Sequence, residues 1–115
     1  GMSIIYKICD VAIWKAAEES RVFSGAGIDL EDGFIHFSTA SQVEETARRH
    51  FRNRSGLVLV AVATDGLDIA WEPSRGGELF PHLHSDLPVA SAISVTPLIC
   101  DADGVPTPEG GYRDL

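Results

Sequence analysis

The chain has 115 residues, the usual size of one domain, and at that length folding buries roughly 65% of the surface an extended chain exposes, so one core is expected. Hydrophobic residues at 44% and charged residues at 23% are those of an ordinary globular protein, which excludes a disordered or fibrous chain. A net charge of −8 opposes a phosphodiester backbone and no apolar run approaches the roughly 20 residues that cross a bilayer, so neither nucleic acid nor a membrane is an expected partner.

The start carries no basic segment followed by an apolar one, which points to a cytoplasmic, bacterial-type protein. Gly1 ahead of Met2 reads as the remnant of a cleaved tag, with Met2 the native start. Cys9 and Cys100 are too few for a disulfide scaffold or a thiolate metal site, and both lie in or beside apolar runs. They read as reduced, buried structural thiols.

In chain order, residues 4–9 (IIYKIC) are β-branched and aromatic and predict a first strand. Asp10 is placed to cap a helix reaching about Ser20, with Val11, Trp14 and Ala17 as its apolar stripe. Residues 24–32 (SGAGIDLED) read as a loop. Residues 33–38 (GFIHFS) predict a short strand whose alternation sets Phe34, His36 and Ser38 on one side and Ile35 and Phe37 on the other. The second helix opens on overlapping capping-box patterns, Thr39 with Gln42 and Ser41 with Glu44, and carries Val43, Ala47 and Phe51 at helical spacing. Glu44 with Arg48 and Glu45 with Arg49 are i,i+4 pairs that give it a charged, solvated face.

Residues 57–64 (LVLVAVAT) are continuously apolar, the pattern of a central strand covered on both faces. After a turn at Asp65-Gly66, a shorter strand is expected from Leu67 to Glu72, then the loop PSRGG. If residues 80–84 are extended, His82 and His84 share a face with Phe80; residues 89–99 (VASAISVTPLI) read as a last strand with Pro97 at an edge or bend. The tail from Asp101 to Leu115, rich in Asp, Gly and Pro, is expected to be loose, leaving a core over about residues 3–99.

Two segments carry more polar equipment than their surroundings need. His36 shares a strand face with Ser38, about 7 Å away at strand spacing, and serves either as a ligand group or as a buried histidine satisfied by a backbone carbonyl. The run from Trp71 to His84 brings together Glu72, Arg75, Glu78, His82 and His84. Gly76-Gly77 would either present backbone amides to an anion beside the Arg75 fork or form a plain hairpin turn with Arg75 and Glu78 as solvated flanks. His82-x-His84 with His36 as a third imidazole would also suit zinc, which keeps a metal-dependent enzyme open as an alternative. His50, on the charged helix, reads as an ordinary surface or boundary residue.

With these residues in view, the chain resembles the small bacterial family known as domain of unknown function 952, nearly throughout to about Ile99. The resemblance rests on IYKI (5–8), DGFIHFST (32–39) with Gln42, WEPSRGGELFPHL (71–83) and Leu87-Pro88. That family in turn looks like a compact ADP-ribosyltransferase-like protein. The implied fold is α+β: a compact single domain, residues 1–115, with a mostly antiparallel split β-sheet, two main helices and a cleft between the sheet halves. The implied function is a nucleotide pocket for NAD or ADP-ribose, with NAD as a substrate rather than a resident cofactor. Lys7, His36 and Ser38 would hold the nicotinamide ribose, Arg75 would face phosphate, Trp71, His82 and His84 would line the pocket, and Glu72 with His36 would assist glycosyl transfer. The chemistry is coherent, because cleavage of the nicotinamide bond passes through an oxocarbenium-like centre that a carboxylate stabilises. Two residues depart from the pattern: Lys7 stands where such transferases have histidine or arginine, and His84 where the family has tyrosine. The alternative in a different class is a non-catalytic module that binds a small molecule or peptide in the same cleft.

Overall fold

The computed structural model describes residues 3–115, so the reading of Gly1 and Met2 lies outside it. Strand β1 (Ile4–Asp10) runs antiparallel to β4 (Leu57–Ala63), with Lys7 opposite Val60, and the other edge of β4 takes β8 (Ala92–Pro97). The unbroken apolar run of β4 has a direct cause. Val58, Val60 and Val62 enter one buried cluster with Trp14, Phe23 and Leu87, while Leu57, Leu59 and Ala61 enter a second with Val43, Ala47 and Tyr112. Alternate residues of a strand face opposite ways, so a strand between two cores has no side left for polar groups.

A second sheet places β6 (Leu79–Leu83) between β3 (Ile35–His36) and β5 (Ile69–Pro73). The two sheets meet at one pair of backbone bonds, Tyr6 N–H to Ser38 O at 2.8 Å and Ser38 N–H to Tyr6 O at 2.9 Å. Two short pairs complete the strands: β2 (Val22–Phe23) with β7 (Leu87–Pro88), and β9 (Ile99–Cys100) with β10 (Pro106–Thr107). Helices α1 (Val11–Ser20), α2 (Ile28–Asp32) and α3 (Val43–His50) make this a compact single α+β domain whose described strand pairs are antiparallel. The second helix, α2, lies inside the segment read as a loop, so among the described residues there are three α-helices rather than two. With five residues, it is too short to show helical periodicity.

The predicted strand 33–38 shrinks to Ile35–His36. Past it, Phe37 N–H still donates to Pro81 O at 2.9 Å, but Ser38 leaves β6 to pair with Tyr6, and this crossing joins the sheets. The parity survives, since Ile35 and Phe37 are buried in the first core and His36 and Ser38 face elsewhere. Residues 89–99 are broken into a 3-10 turn at Val89–Ser91, then β8 and β9. Pro97 closes β8, which has β4 as its single partner.

Asp10 occupies the position before α1 but makes no side-chain cap; its carboxylate pairs instead with Arg54 at 3.2 Å. The box at Thr39 forms in one direction: Gln42 Oε1 accepts from Thr39 N–H at 3.0 Å, and Gln42 Nε2 donates to Leu79 O at 2.8 Å, tying the start of α3 to β6. Both anticipated pairs on α3 form, Arg48–Glu44 at 3.8 Å and Arg49–Glu45 at 2.7 Å. Of the two thiols Cys9 is buried, which pushes its pKa up to about 11. Cys100, also read as buried, is exposed, because it lies on the short β9, whose two residues are at the surface.

The tail is the larger correction. It folds back through β10, burying Val105 and Tyr112 in the second core, and the Tyr112 hydroxyl donates to Pro106 O. Gly104 makes the approach possible: at φ 81 it has a left-handed backbone, and a Cβ there would lie 2.0 Å from Asn53 Oδ1. Composition signalled looseness, but a few apolar side chains with a partner surface are enough to order a segment. Replacing Tyr112 by alanine is expected to lower unfolding free energy in urea by about 3 kcal/mol, the cost of emptying a buried aromatic site. An unchanged midpoint would mean that the tail contributes nothing to the core.

Candidate functional site

The crossing of the two sheets leaves a cavity of about 450 Å³, with β1, β3 and β6 contributing its inner wall and α3 and the β5–β6 turn its rim. Its polar wall starts from Asp29 in α2, whose side chain is wholly shielded from solvent. One oxygen accepts from Lys7 Nζ at 2.7 Å and from Ala26 N–H at 3.0 Å; the other meets His36 Nδ1 at 2.7 Å and His36 N–H at 3.1 Å. Burial raises the Asp29 pKa, but the His36 hydrogen bond and the charge and hydrogen bond of Lys7 outweigh it, and the carboxyl sits below its usual 3.8.

Lys7 and His36 are thereby occupied. Lys7 Nζ also donates to His36 O at 2.9 Å, and His36 Nε2 lies 3.0 Å from Asp32 Oδ2, so both imidazole nitrogens face carboxylates. Ser38 lines the cavity beside them, its hydroxyl 3.0 Å from that of Thr46.

The second polar group is built on β5 and β6. Glu72 Oε1 accepts from His82 Nδ1 at 2.7 Å and from His84 Nε2 at 2.9 Å; these bonds, that of His84 the larger, hold the Glu72 pKa below its usual value. His82 is buried and lines the cavity, and its Nε2 has no partner among the described residues. Phe34 packs against all three imidazoles, its ring centroid 4.5 Å from those of His36 and His82 and 4.8 Å from that of His84, and the rings of His36 and His82 meet edge-on at 5.1 Å. Among the described residues no three His, Cys, Asp or Glu side chains are arranged to hold a metal ion. His36, His82 and His84 pack against one phenyl ring, and their bonded nitrogens are taken up by carboxylates, those of His82 and His84 by Glu72 Oε1 and that of His36 by Asp29.

Arg75 reaches the cavity from the turn between β5 and β6, its guanidinium 4.7 Å from the centre of the Phe80 ring, and it makes no salt bridge among the described residues. The turn itself is a hairpin connection. Gly76 and Gly77 take φ 65 and 81, Gly77 N–H is spent on Ser74 O at 2.9 Å and Glu78 N–H on Arg75 O at 3.2 Å, which leaves those two amides no bond for an anion. Ser74 and Arg75 are thus the residues of PSRGG that meet the cavity, while Glu78 is exposed.

Of the residues singled out in the sequence, Lys7, His36, Ser38, Arg75 and His82 line this one cavity. Glu72 and His84 stand outside its lining, behind His82, and Trp71 is 49% exposed and also outside it. Sequence reasoning missed Asp29 and Asp32, in the segment taken for a loop, and it assigned His50 to the ordinary surface although it lines the rim. Burial and the nearby charges of Arg75, Arg49 and His36 lower the His50 pKa. One signal was present: Thr46 and His50 are i,i+4 on α3 and share a face.

Residues 8–95 match the family model described as "Protein of unknown function (DUF952)". Among solved structures, the crystal structure of protein CC0527 from Caulobacter crescentus is 47% identical, with a TM-score of 0.87 over 91% of this chain and 94% of that one. The solution NMR structure of the same protein is 48% identical, with a TM-score of 0.80 over 90% of each chain. No curated protein matches.

Asp29→Asn strips a buried ammonium of its counter-charge and is expected to cost about 3–5 kcal/mol in urea unfolding. Because folding lowers the Asp29 pKa, its contribution is present above 3.8 and is lost as pH falls below that value through the folded pKa. The wild-type urea midpoint should therefore drop on acidification below 3.8 by more than that of Asp29→Asn; parallel pH profiles would show that Asp29 contributes no such stability.

Proposed function

We propose, for a chain that belongs to the DUF952 family, a pocket that binds a small phosphate-bearing ligand of the nucleotide kind, NAD and ADP-ribose being the forms its resemblance suggests. One observation carries this reading. In a protein of net charge −8, three of the nine Lys and Arg residues and three of the four histidines line a single cavity, against one carboxylate there, Asp32. Asp29 neutralises Lys7 and Asp10 pairs with Arg54, which leaves Arg75 as the cation free to meet an anion. A guanidinium presents a planar fork that matches phosphate oxygens. The volume, about 450 Å³, falls within the usual range of small-molecule sites. The rings of Phe51, Phe80 and Tyr6 supply an apolar wall for a base or sugar.

The finer reading is an ADP-ribosyltransferase-like fold with glycosyl transfer. It draws support from the two three-stranded sheets that meet at Tyr6–Ser38 with a cavity at their junction. The position of Glu72 favours the second reading, a binding module without turnover, because a carboxylate behind His82 is poorly placed to touch an oxocarbenium-like centre. A cytoplasmic location belongs to the same proposal and is consistent with two unpaired cysteines.

Calorimetry and thermal shift with NAD, ADP-ribose and nicotinamide test the pocket. ADP-ribose is expected to bind, about tenfold more weakly to Arg75→Ala and more weakly at raised salt. Absence of binding by all three at millimolar concentration removes the nucleotide reading. NAD hydrolysis that vanishes in Glu72→Gln would sink the binding-module alternative.

A further inference from the structure

His82, one of the residues that line the cavity, has a buried ring nitrogen with no partner among the described residues. The residue is 4% exposed, in the strand between β3 and β5, and the nitrogen is Nε2. Burying such a group without a bond costs free energy, so an unpaired nitrogen on a residue that lines a cavity asks for an explanation. The other imidazoles differ in this respect: His36 has carboxylates at both nitrogens, His84 is half exposed and bonded to Glu72, and His50 is at the open rim.

The chemical role of the atom follows from its neighbour. Glu72 Oε1 lies 2.7 Å from His82 Nδ1, and an ionised carboxylate only accepts, so Nδ1 carries the hydrogen. In the neutral ring Nε2 is then a lone-pair acceptor, and the group that satisfies it is a donor such as a hydroxyl. Phe34, tilted at 38° with its centroid 4.5 Å from that of the same ring, and His36, edge-on at 5.1 Å, restrict its rotation. At the cavity's mouth Arg75 offers guanidinium donors that make no salt bridge among the described residues.

Building on the pocket proposed above, we infer that His82 Nε2 accepts a hydrogen bond from a hydroxyl of the ligand, that Glu72 is the positioning residue that sets its tautomer, and that the ligand is a phosphate ester with free hydroxyl groups whose phosphate meets Arg75. Glu72 thereby exchanges the substrate-facing role suggested by resemblance for one exerted through His82. A pocket built to bond a hydroxyl discriminates against analogues that lack it, because the buried acceptor is then left unpaired.

The test is long-range proton–nitrogen NMR on the four histidines of the wild-type protein, free and with ribose 5-phosphate or sulfate at millimolar concentration. In the free protein His82 should be the Nδ1–H tautomer; ribose 5-phosphate should move its Nε2 resonance and the Arg75 guanidinium signals, and sulfate the Arg75 signals alone. Glu72→Ala should release the tautomer preference and weaken ribose 5-phosphate binding about tenfold. A hydrogen on Nε2 in the free protein, or an Nε2 resonance indifferent to ribose 5-phosphate, overturns the inference. If NAD and ADP-ribose bind while Nε2 does not respond to ribose 5-phosphate, the pocket stands and the hydroxyl acceptor falls. If ribose 5-phosphate moves Nε2 while neither dinucleotide binds, the nucleotide reading falls and the acceptor stands.

Discussion

One buried carboxylate organises the polar half of this protein. Asp29 takes four hydrogen bonds from groups on three separate pieces of chain: the ammonium of Lys7 on β1, the ring and backbone of His36 on β3, and the amide of Ala26 ahead of α2. An ionised carboxylate withdrawn from water is costly unless nearly every lone pair is used, and here the partners include a cation. Gly25 lets the chain come close enough, since a Cβ there would lie 2.8 Å from that of Asp29. A short helix and two strands from different sheets are thus pinned at one point, next to the bridge between Tyr6 and Ser38.

That anchoring fixes what the cavity can offer. Lys7 and His36, held by Asp29 and Asp32, act as walls more than as free groups, so the side chains left to meet a ligand include Arg75 on its turn, His82 on the middle strand, the paired hydroxyls of Ser38 and Thr46, and His50 at the rim. Two imidazole–carboxylate systems pack against Phe34, and they are not equivalent. The Asp29–His36–Asp32 system uses both ring nitrogens, whereas the Glu72–His82 pair uses one and leaves one. A difference of one hydrogen bond separates a structural histidine from a candidate recognition group.

Much of the frame was legible from local pattern. The apolar run at 57–63, the amphipathic stripe of α1 and the alternation through His36 and Ser38 depend on period alone, and side-chain period is a property of the local backbone. The misreadings came from elsewhere. Ile28–Asp32 is one turn of helix in an acidic segment, and the tail is held by Val105 and Tyr112 against a core made of residues far away in sequence. Asp10 looked like a cap and became the partner of Arg54, 44 residues on. In each case a long-range contact outweighed a local preference.

By itself, then, the sequence determined the identity of the central strand and the face on which His36 and Ser38 lie, because periodicity acts over a few neighbouring residues, while the α+β class came with the family resemblance. Only the tertiary structure decided which of the polar residues are free. Whether Lys7 is a ligand group or a brace depends on Asp29, 22 positions later, and whether Glu72 faces the cavity or a histidine depends on the register of β5 against β6. Hydrogen-bond partners are chosen by distance in space, and no spacing along the chain records them.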